Sequence, residues 1–381
     1  MYGIYEYGGM MADERRLEAY RAAIRARVTP ASVVLDLGAG PGIMTLFACQ
    51  AGARKVYAVE PSAVIQVARE VVAVNGYADR VECIQAWSTR IDLPEKVDVI
   101  VSDIRGVLPL HRDSLRTIID ARDRFLKPGG CLIPEKDVVW AAIVTAPELY
   151  ARMAGPWKNS GGLDLSAGRQ RAVNTETKCQ SAADALLAEP QIWAELDYMS
   201  LTQLGVKNEV AWRMARAAEG HGLCLWFDTE AAPRCGFSNA PGDREANTYG
   251  QAFFPWTEPC ALEPGDQVDA EIRADPVGED YVWSWKTEVR RPGVSDPLAQ
   301  FDQSLFRGTP LSSDWRRKSG SSFVPSPTRD AEIDRAILDE LFTGATLEAI
   351  SREVATRHPD RFPDWRAALT RVGELSLKYS R

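Results

Sequence analysis

The chain has 381 residues, 45% of them apolar and 26% charged, with a net charge of −8. That length supports two or three domains with cores of their own, and the composition is that of a globular chain. The acidic balance argues against a broad basic surface for nucleic acid and favours a cationic partner. Seven scattered cysteines (49, 83, 131, 179, 224, 235 and 260) without a C-x-x-C pair point to reduced thiols rather than a disulfide frame or zinc site. Three histidines, at 111, 221 and 358, lie far apart in sequence, which argues against a multi-histidine metal site or a hydrolase triad. No apolar run approaches a membrane span and no signal-peptide pattern opens the chain, so a cytoplasmic protein without a membrane partner is expected.

Residues 1–9 hold three tyrosines (2, 5 and 7) and three glycines. The spacing over 10–27 predicts one amphipathic helix, with Met11, Leu17, Tyr20, Ala23 and Ile24 on one face and Asp13, Arg15 and Arg16 in its first turns. Residues 33–140 then alternate strand and helix: strands at 33–37, 55–59, 81–85, 97–102 and 131–134, helices at about 43–51, 62–74 and 113–126. Such alternation predicts a doubly wound α/β domain, a mostly parallel sheet with helices on both faces and ligands at the carboxyl ends of the strands. The first strand runs into Gly38-Ala39-Gly40-Pro41-Gly42, where glycine lets the backbone approach a ligand and the helix start adds N–H donors. The second ends in Glu60, about twenty residues on, where an acid can accept from ribose hydroxyls. Trp87, Ser88 and Asp103 also lie just past strand ends.

From about 136 the texture changes to short β-like runs at 138–144, 194–200, 222–228, 251–256, 268–274 and 281–289. Turn signals such as Pro241-Gly242-Asp243 and Glu263-Pro264-Gly265-Asp266 separate many of them, and predict an antiparallel barrel or sandwich. Within it, 157–191 is polar and partly helical, an arm or excursion. Residues 292–329, rich in Arg, Ser, Pro and Gly, read as a linker. The last piece, 330–381, spaces Ile333, Ile337, Leu341, Ile350, Val354, Leu369 and Val372 as a three-helix unit. The expected division is therefore 1–135, 136–291, the linker, and 330–381.

The glycine spacing G-x-G-x-G differs from the G-x-G-x-x-G of a dinucleotide site. With Glu60, Asp103 and Leu126-Lys127-Pro128-Gly129-Gly130 it resembles the S-adenosylmethionine (SAM) site of class I methyltransferases. Residues 1 to about 290 further resemble the protein arginine methyltransferase family. The likeness is carried by Met10-Met11-Ala12-Asp13-Glu14-Arg15-Arg16, Lys55-Val56-Tyr57-Ala58-Val59-Glu60, Leu93-Pro94-Glu95-Lys96-Val97-Asp98, Ala121-Arg122-Asp123, Cys235-Gly236-Phe237-Ser238 and Gln251. The resemblance implies that Arg16 pairs with the SAM carboxylate. It implies that Asp36, Gly38, Ala39, Gly40, Gly42, Glu60 and Pro61, with Trp87, Ser88 and Thr89, line the cofactor. S-adenosylhomocysteine (SAH) would be the product, and 157–191 would be a dimerisation arm joining two copies.

The departures lie on the acceptor side. The family's hairpin holds a guanidinium between two glutamates; here Asp103 and Arg112 stand at those positions, with Asp113 one residue beyond. Asn247-Thr248-Tyr249 aligns with its Thr-His-Trp loop, so the histidine is missing. Ser88 and Thr89 replace an apolar residue and a glutamate near adenine, and Tyr2, Tyr5 and Tyr7 make at most a truncated counterpart of its N-terminal helix. Two ionised carboxylates suit a guanidinium through bidentate charged hydrogen bonds, whereas one Asp beside Arg105 and Arg112 repels it. The expectation is a SAM-dependent methyltransferase acting on a non-standard acceptor, a small molecule or peptide side chain. Asp103 would orient or deprotonate the nucleophile, Asp113 or His111 would assist, and Arg105 and Arg112 would bind an anionic group. Those arginines are equally read as salt-bridged to Asp103 and Asp113. Arginine methylation using Asp103 and Asp113, and a catalytically silent SAM-binding scaffold, are the alternatives. The C-terminal unit is faintly similar to peptide-binding modules of peptide-tailoring enzymes; an ordinary three-helix core explains its spacing as well.

Overall fold

Two helices precede the first strand, α1 (Ile4–Met11) and α2 (Glu14–Arg27), in a computed structural model that describes residues 3–158, 161–242 and 248–380. Tyr2, Asp243 and Asn247, named above, lie outside the described residues. The single helix expected over 10–27 is divided at Ala12 and Asp13. The Asp13 carboxylate accepts from the Arg16 N–H at 3.1 Å, an N-cap that starts a new helix there. Leu17, Tyr20, Ala23 and Ile24 form the buried face of α2 as the spacing predicted, and Arg16 is buried with them.

The doubly wound domain follows as β1 (Val33–Leu37), α3 (Ile43–Gln50), β2 (Lys55–Val59), α4 (Ile65–Val74), β3 (Val81–Ile84), β4 (Val97–Ser102), α5 (Ser114–Phe125) and β5 (Leu126–Ile133). All five residues of β1 are buried, as in a strand covered on both faces. The sheet is parallel, in the order β3-β2-β1-β4-β5. Leu37 pairs with Val59 on one side and with Ser102 on the other, and Val59 pairs with Ile84. The chain therefore leaves β1, β2, β3 and β4 along one edge, and Gly38, Glu60, Gln85 and Asp103 emerge side by side. That shared register positions the site.

The antiparallel part begins with β6 (Lys136–Val144), then α6 (Pro147–Ala154), α7 (Ser166–Ala172), β7 (Thr177–Cys179), β8 (Gln191–Asp197), β9 (Val206–Arg213), β10 (Ala218–Ala232), β11 (Cys235–Ser238), β12 (Gln251–Leu262), β13 (Gln267–Val277), β14 (Asp280–Arg290) and β15 (Ala299–Ser304). One sheet runs β7-β12-β10-β6-β8 with β11 on β10; the other runs β15-β14-β13-β9. Tryptophans fill the core: Trp193 lies 5.2 Å from Trp283, and Phe254 5.1 Å from Trp285, as ring centroids. Strand β9 was not expected, because Lys207, Asn208 and Glu209 break the apolar alternation that only Val210 and Trp212 continue inward. The linker expected at 292–329 is shorter than its composition suggested. Residues 299–304 form β15, where Phe301 and Gln303 alternate inward and Phe301 stacks on Trp256 at 5.0 Å.

Residues 1–310, including the short helix α8 (Leu305–Gly308), form one compact unit, and 311–381 a second. The second contains α9 (Ser313–Lys318), α10 (Arg329–Leu341), α11 (Leu347–Arg357) and α12 (Trp365–Tyr379). Thr328, Thr346 and Asp364 each cap the helix they precede. Ile333, Ile337, Ile350, Val354, Ala368 and Val372 make its core. Among the described residues no helix is long and apolar enough to cross a membrane.

Candidate active site

The turn after β1 holds Gly38, Gly40 and Gly42 at φ +76°, +52° and +92°, conformations that penalise a side chain. Space is as restrictive as torsion, since a Cβ at Gly42 would meet Ala68 Cβ at 3.0 Å. A Cβ at Gly38 would meet Ile104 Cγ2 at 2.3 Å, and one at Gly40 would meet the Tyr7 ring at 3.1 Å. Tyr7 thus brings α1 onto the turn, so the truncated tyrosine segment does form a helix over it. The expected row of amide donors is reduced. The N–H groups of Gly38 and Ala39 both donate to the Val59 carbonyl, at 2.9 and 3.1 Å, which ties the turn to β2. Glycine here supplies close approach more than donors.

Glu60 is buried beside this turn. Its carboxylate accepts from the Gly40 N–H at 3.3 Å and the Ser62 N–H at 2.9 Å, so it is aimed over Gly40 with Pro61 behind it. Asp36 has a structural post: it accepts from the Thr45 hydroxyl at 2.6 Å and from the Thr45 amide, tying β1 to the start of α3. Burial pushes its carboxyl up to about 6, with the Thr45 hydrogen bonds offsetting part of the effect. The folded protein therefore binds this proton more tightly than the unfolded chain. The resulting stabilisation is whole below about pH 4 and is lost as pH rises through about 6. Asp36→Asn is expected to raise stability above pH 6 by on the order of 3 kcal/mol and far less at pH 4, read as melting temperature against pH.

Past β3, Trp87 is exposed, Ser88 is buried and Thr89 is exposed. Arg124 of α5 fixes this bend by donating to the carbonyls of Ser88 and Ile91 at 2.6 and 2.8 Å. Opposite, Arg16 reaches from α2 with Nε 3.1 Å from Asp103 Oδ2 and one terminal nitrogen on the Met10 carbonyl.

Asp103 is the meeting point of the acceptor side. One oxygen faces Arg16; the other accepts from Arg105 Nε at 3.3 Å, from an Arg105 terminal nitrogen at 3.1 Å and from the Tyr249 hydroxyl. Burial alone would raise its carboxyl; Arg16, Arg105 and the Tyr249 hydroxyl outweigh burial and hold it below the usual range. Burial pushes the Tyr249 hydroxyl far up, and the Asp103 charge adds to it. Arg105 also binds Asp137 at 2.8 and 3.0 Å, Thr229 at 2.6 Å and Tyr20 at 2.6 Å. Asp137 and Thr229 are paired across β6 and β10, and Tyr198 donates to the same carboxylate at 2.6 Å. The reading in which Arg105 forms a salt bridge is the one observed, rather than capture of an external anion.

The other expected catalytic residues do not converge on Asp103. His111 packs its ring against Gly106, where a Cβ would lie 2.6 Å from it, and burial lowers its basicity. Arg112 sits at φ +46° with its N–H on Asp280 at 3.0 Å, at the far end of the hairpin. Asp113 pairs with Arg116 at 3.6 Å, partly exposed. Between Gly106 and His111, Leu108 and Leu110 are buried in the core. Tyr20, Asp137, Tyr198 and Thr229 were missed as site residues. No signal in the sequence set them apart, since Asp137 ends the charged triplet Glu135-Lys136-Asp137 ahead of the apolar run of β6.

The parallel sheet order, the glycine turn and the acid closing β2 define a class I methyltransferase domain, and the Methyltransferase domain family matches residues 34–130. Protein arginine N-methyltransferase 6 of Xenopus laevis is 34% identical over 281 residues, covering 70% of this chain and 82% of its own. The chain belongs to the protein arginine N-methyltransferase family, whose cofactor is SAM. The probable protein arginine N-methyltransferase 6 of Arabidopsis thaliana is 31% identical over 72% of this chain, and the chain spans 63% of that relative's length. A solved Trypanosoma brucei PRMT1 enzyme–prozyme heterotetrameric complex with AdoHcy superposes with a TM-score of 0.72 at 25% identity, covering 78% of this chain and 98% of that one.

Proposed function

We propose that the chain is a SAM-dependent methyltransferase whose acceptor is not gripped by paired carboxylates. The observation that carries this is the contrast within one site. The glycine turn and Glu60 offer a cradle on the cofactor side, whereas one Asp103 oxygen already accepts from Arg105 and the Tyr249 hydroxyl of the chain itself and the other lies 3.1 Å from Arg16 Nε. Glu60 would take the ribose hydroxyls, Arg16 the carboxylate of the methionine moiety, and Trp87 to Thr89 would lie by the base. The crowded, left-handed turn at Gly38 and Gly40 fits a ligand lying close on the backbone. When bound, SAM supplies an electrophilic methyl group on a sulfonium. The chain's part is then to exclude water and align a lone pair within about 3–3.5 Å of that carbon. Asp103, held ionised by Arg16 and Arg105, orients Arg105 and Tyr249 rather than taking a proton.

Arginine N-methylation is the second reading, favoured by the identity to relatives that carry that name. It requires an incoming guanidinium to share the Asp103 carboxylate with Arg105 and Arg16. Incubation with SAM and a panel of arginine, lysine and histidine peptides and small amines, followed by mass spectrometry, separates the readings. A methyl gain outside arginine supports the first, a gain on arginine the second. SAM binding without any product leaves a silent scaffold.

Self-association through 157–191 is part of the proposal. Leu163 on this arm is 67% exposed, an unpartnered apolar group that suits a second copy. Leu163→Arg is expected to convert a dimer to a monomer in light scattering; an unchanged mass contradicts the arm's role. All seven cysteines are free, which suits a reducing, cytoplasmic setting.

A further inference from the structure

We infer that the cleft between Trp140, Trp226, Asp228 and Glu189 receives an arginine side chain of a peptide partner, at a place separate from Asp103. The cleft has a volume of about 580 Å³, within the range of ligand clefts. Its binding rests on its own walls; only its use in presenting an acceptor rests on the methyltransferase reading above.

Strand register builds the walls. Trp140 of β6 pairs with Trp226 of β10, and Asp228 lies two residues further along β10, so the three side chains share one face of the sheet. The Trp140 indole N–H donates to Asp228 Oδ2 at 2.8 Å, a diagonal contact that fixes both groups. Trp226 is 4% exposed and gives the cleft a buried apolar wall. Glu189 lines it from the segment ahead of β8, and Arg15 of α2 lines another edge, so two acids stand against one cation.

Charge within the cleft is not balanced by the chain. Among the described residues neither Asp228 nor Glu189 forms an ion pair. Asp228 is half-buried and its carboxylate accepts only from a neutral indole, which leaves a partly desolvated charge without a cation. An arginine guanidinium suits both kinds of wall, because it stacks on indole faces and donates to carboxylates in a fixed fork. A lysine ammonium is more strongly hydrated and loses more on entering between two indoles. Phe237 joins the cleft to the acceptor side. It lines the cleft, its ring stacks on Tyr249 with centroids 5.9 Å apart, and the Tyr249 hydroxyl donates to Asp103. A peptide whose arginine is held in the cleft therefore runs close to Asp103.

The test is calorimetry of the whole chain with a short glycine-rich peptide carrying two arginines, and with the same peptide carrying citrulline, an uncharged isostere, in their place. The arginine peptide is expected to bind with a Kd on the order of 100 µM and the citrulline peptide at least about tenfold more weakly. Asp228→Asn keeps an acceptor for the Trp140 indole while removing the charge. It is expected to weaken the arginine peptide about tenfold with SAH affinity unchanged. Where that variant does not melt cooperatively, Trp140→Leu serves in its place, with an expected loss of about threefold or more. Equal affinity for the two peptides, or no binding of the arginine peptide at about millimolar concentration, overturns the inference and needs no variant to fold. So does either variant, melting like the parent, that binds the arginine peptide as tightly. Each titration is run with and without SAH. A chain that binds the arginine peptide and not SAH overturns the methyltransferase reading and leaves this site standing.

Discussion

Asp137→Ala is expected to destabilise the 1–310 unit by about 3–5 kcal/mol, the cost of leaving a buried guanidinium without its main partner. Arg105 would keep Asp103, but Asp103 is shared with Arg16 and Tyr249, so the remaining negative charge is divided between two cations. Thr229 and Tyr198 would also lose their acceptor. In a unit of this size that loss corresponds to a fall in melting temperature on the order of 10 °C. The double variant with Arg105→Met removes both charges and should recover most of the loss, because an apolar replacement of a buried pair is often neutral. If Asp137→Ala melts within about 2 °C of the parent, the buried pair is not holding this corner together.

The same network sets a pH dependence of known sign. Burial would raise the Asp103 carboxyl, but Arg16 and Arg105 hold it below its ordinary value, so the folded state binds this proton more weakly than the unfolded chain. The stabilisation is present above about pH 4 and is lost as pH falls through the lower folded value. Asp36 runs the other way, losing its contribution as pH rises through about 6. The two should be separable in a melting curve measured against pH.

Glu60→Ala is the second large effect. The carboxylate already aims over Gly40, and hydrogen bonds from a charged group contribute about 1.5–3 kcal/mol each. Two such bonds to ribose hydroxyls imply SAH affinity weakened about 100-fold, and Glu60→Gln, which keeps one acceptor without the charge, about tenfold. The substitution also leaves the amides of Gly40 and Ser62 short of an acceptor, so a melting curve should accompany the titration. An affinity within about threefold of the parent would remove Glu60 from the cofactor site.

The doubly wound half was legible because its signals are local. Apolar runs of β1 and β2, glycines at a turn and an acid about twenty residues on all lie within thirty residues of one another. The acceptor side was not, because Arg105 finds Asp137 from a strand of the next sheet and Thr229 across 124 residues of sequence. No spacing rule connects such positions. Nearness in sequence did not fix partners either: His111 packs on Gly106, the Arg112 N–H donates to Asp280 and Asp113 pairs with Arg116. At the edges of the barrel, β15 was hidden by a composition typical of linkers, and only the inward Phe301 and Gln303 mark it as a strand.

The glycine turn, Glu60 and Arg16 are proposed to form one working cofactor site. Titration calorimetry of the whole chain with SAH tests it most directly. Saturable binding of one SAH per chain, with a Kd on the order of micromolar, is expected. A flat titration at about millimolar SAH, from protein that melts cooperatively, would contradict it.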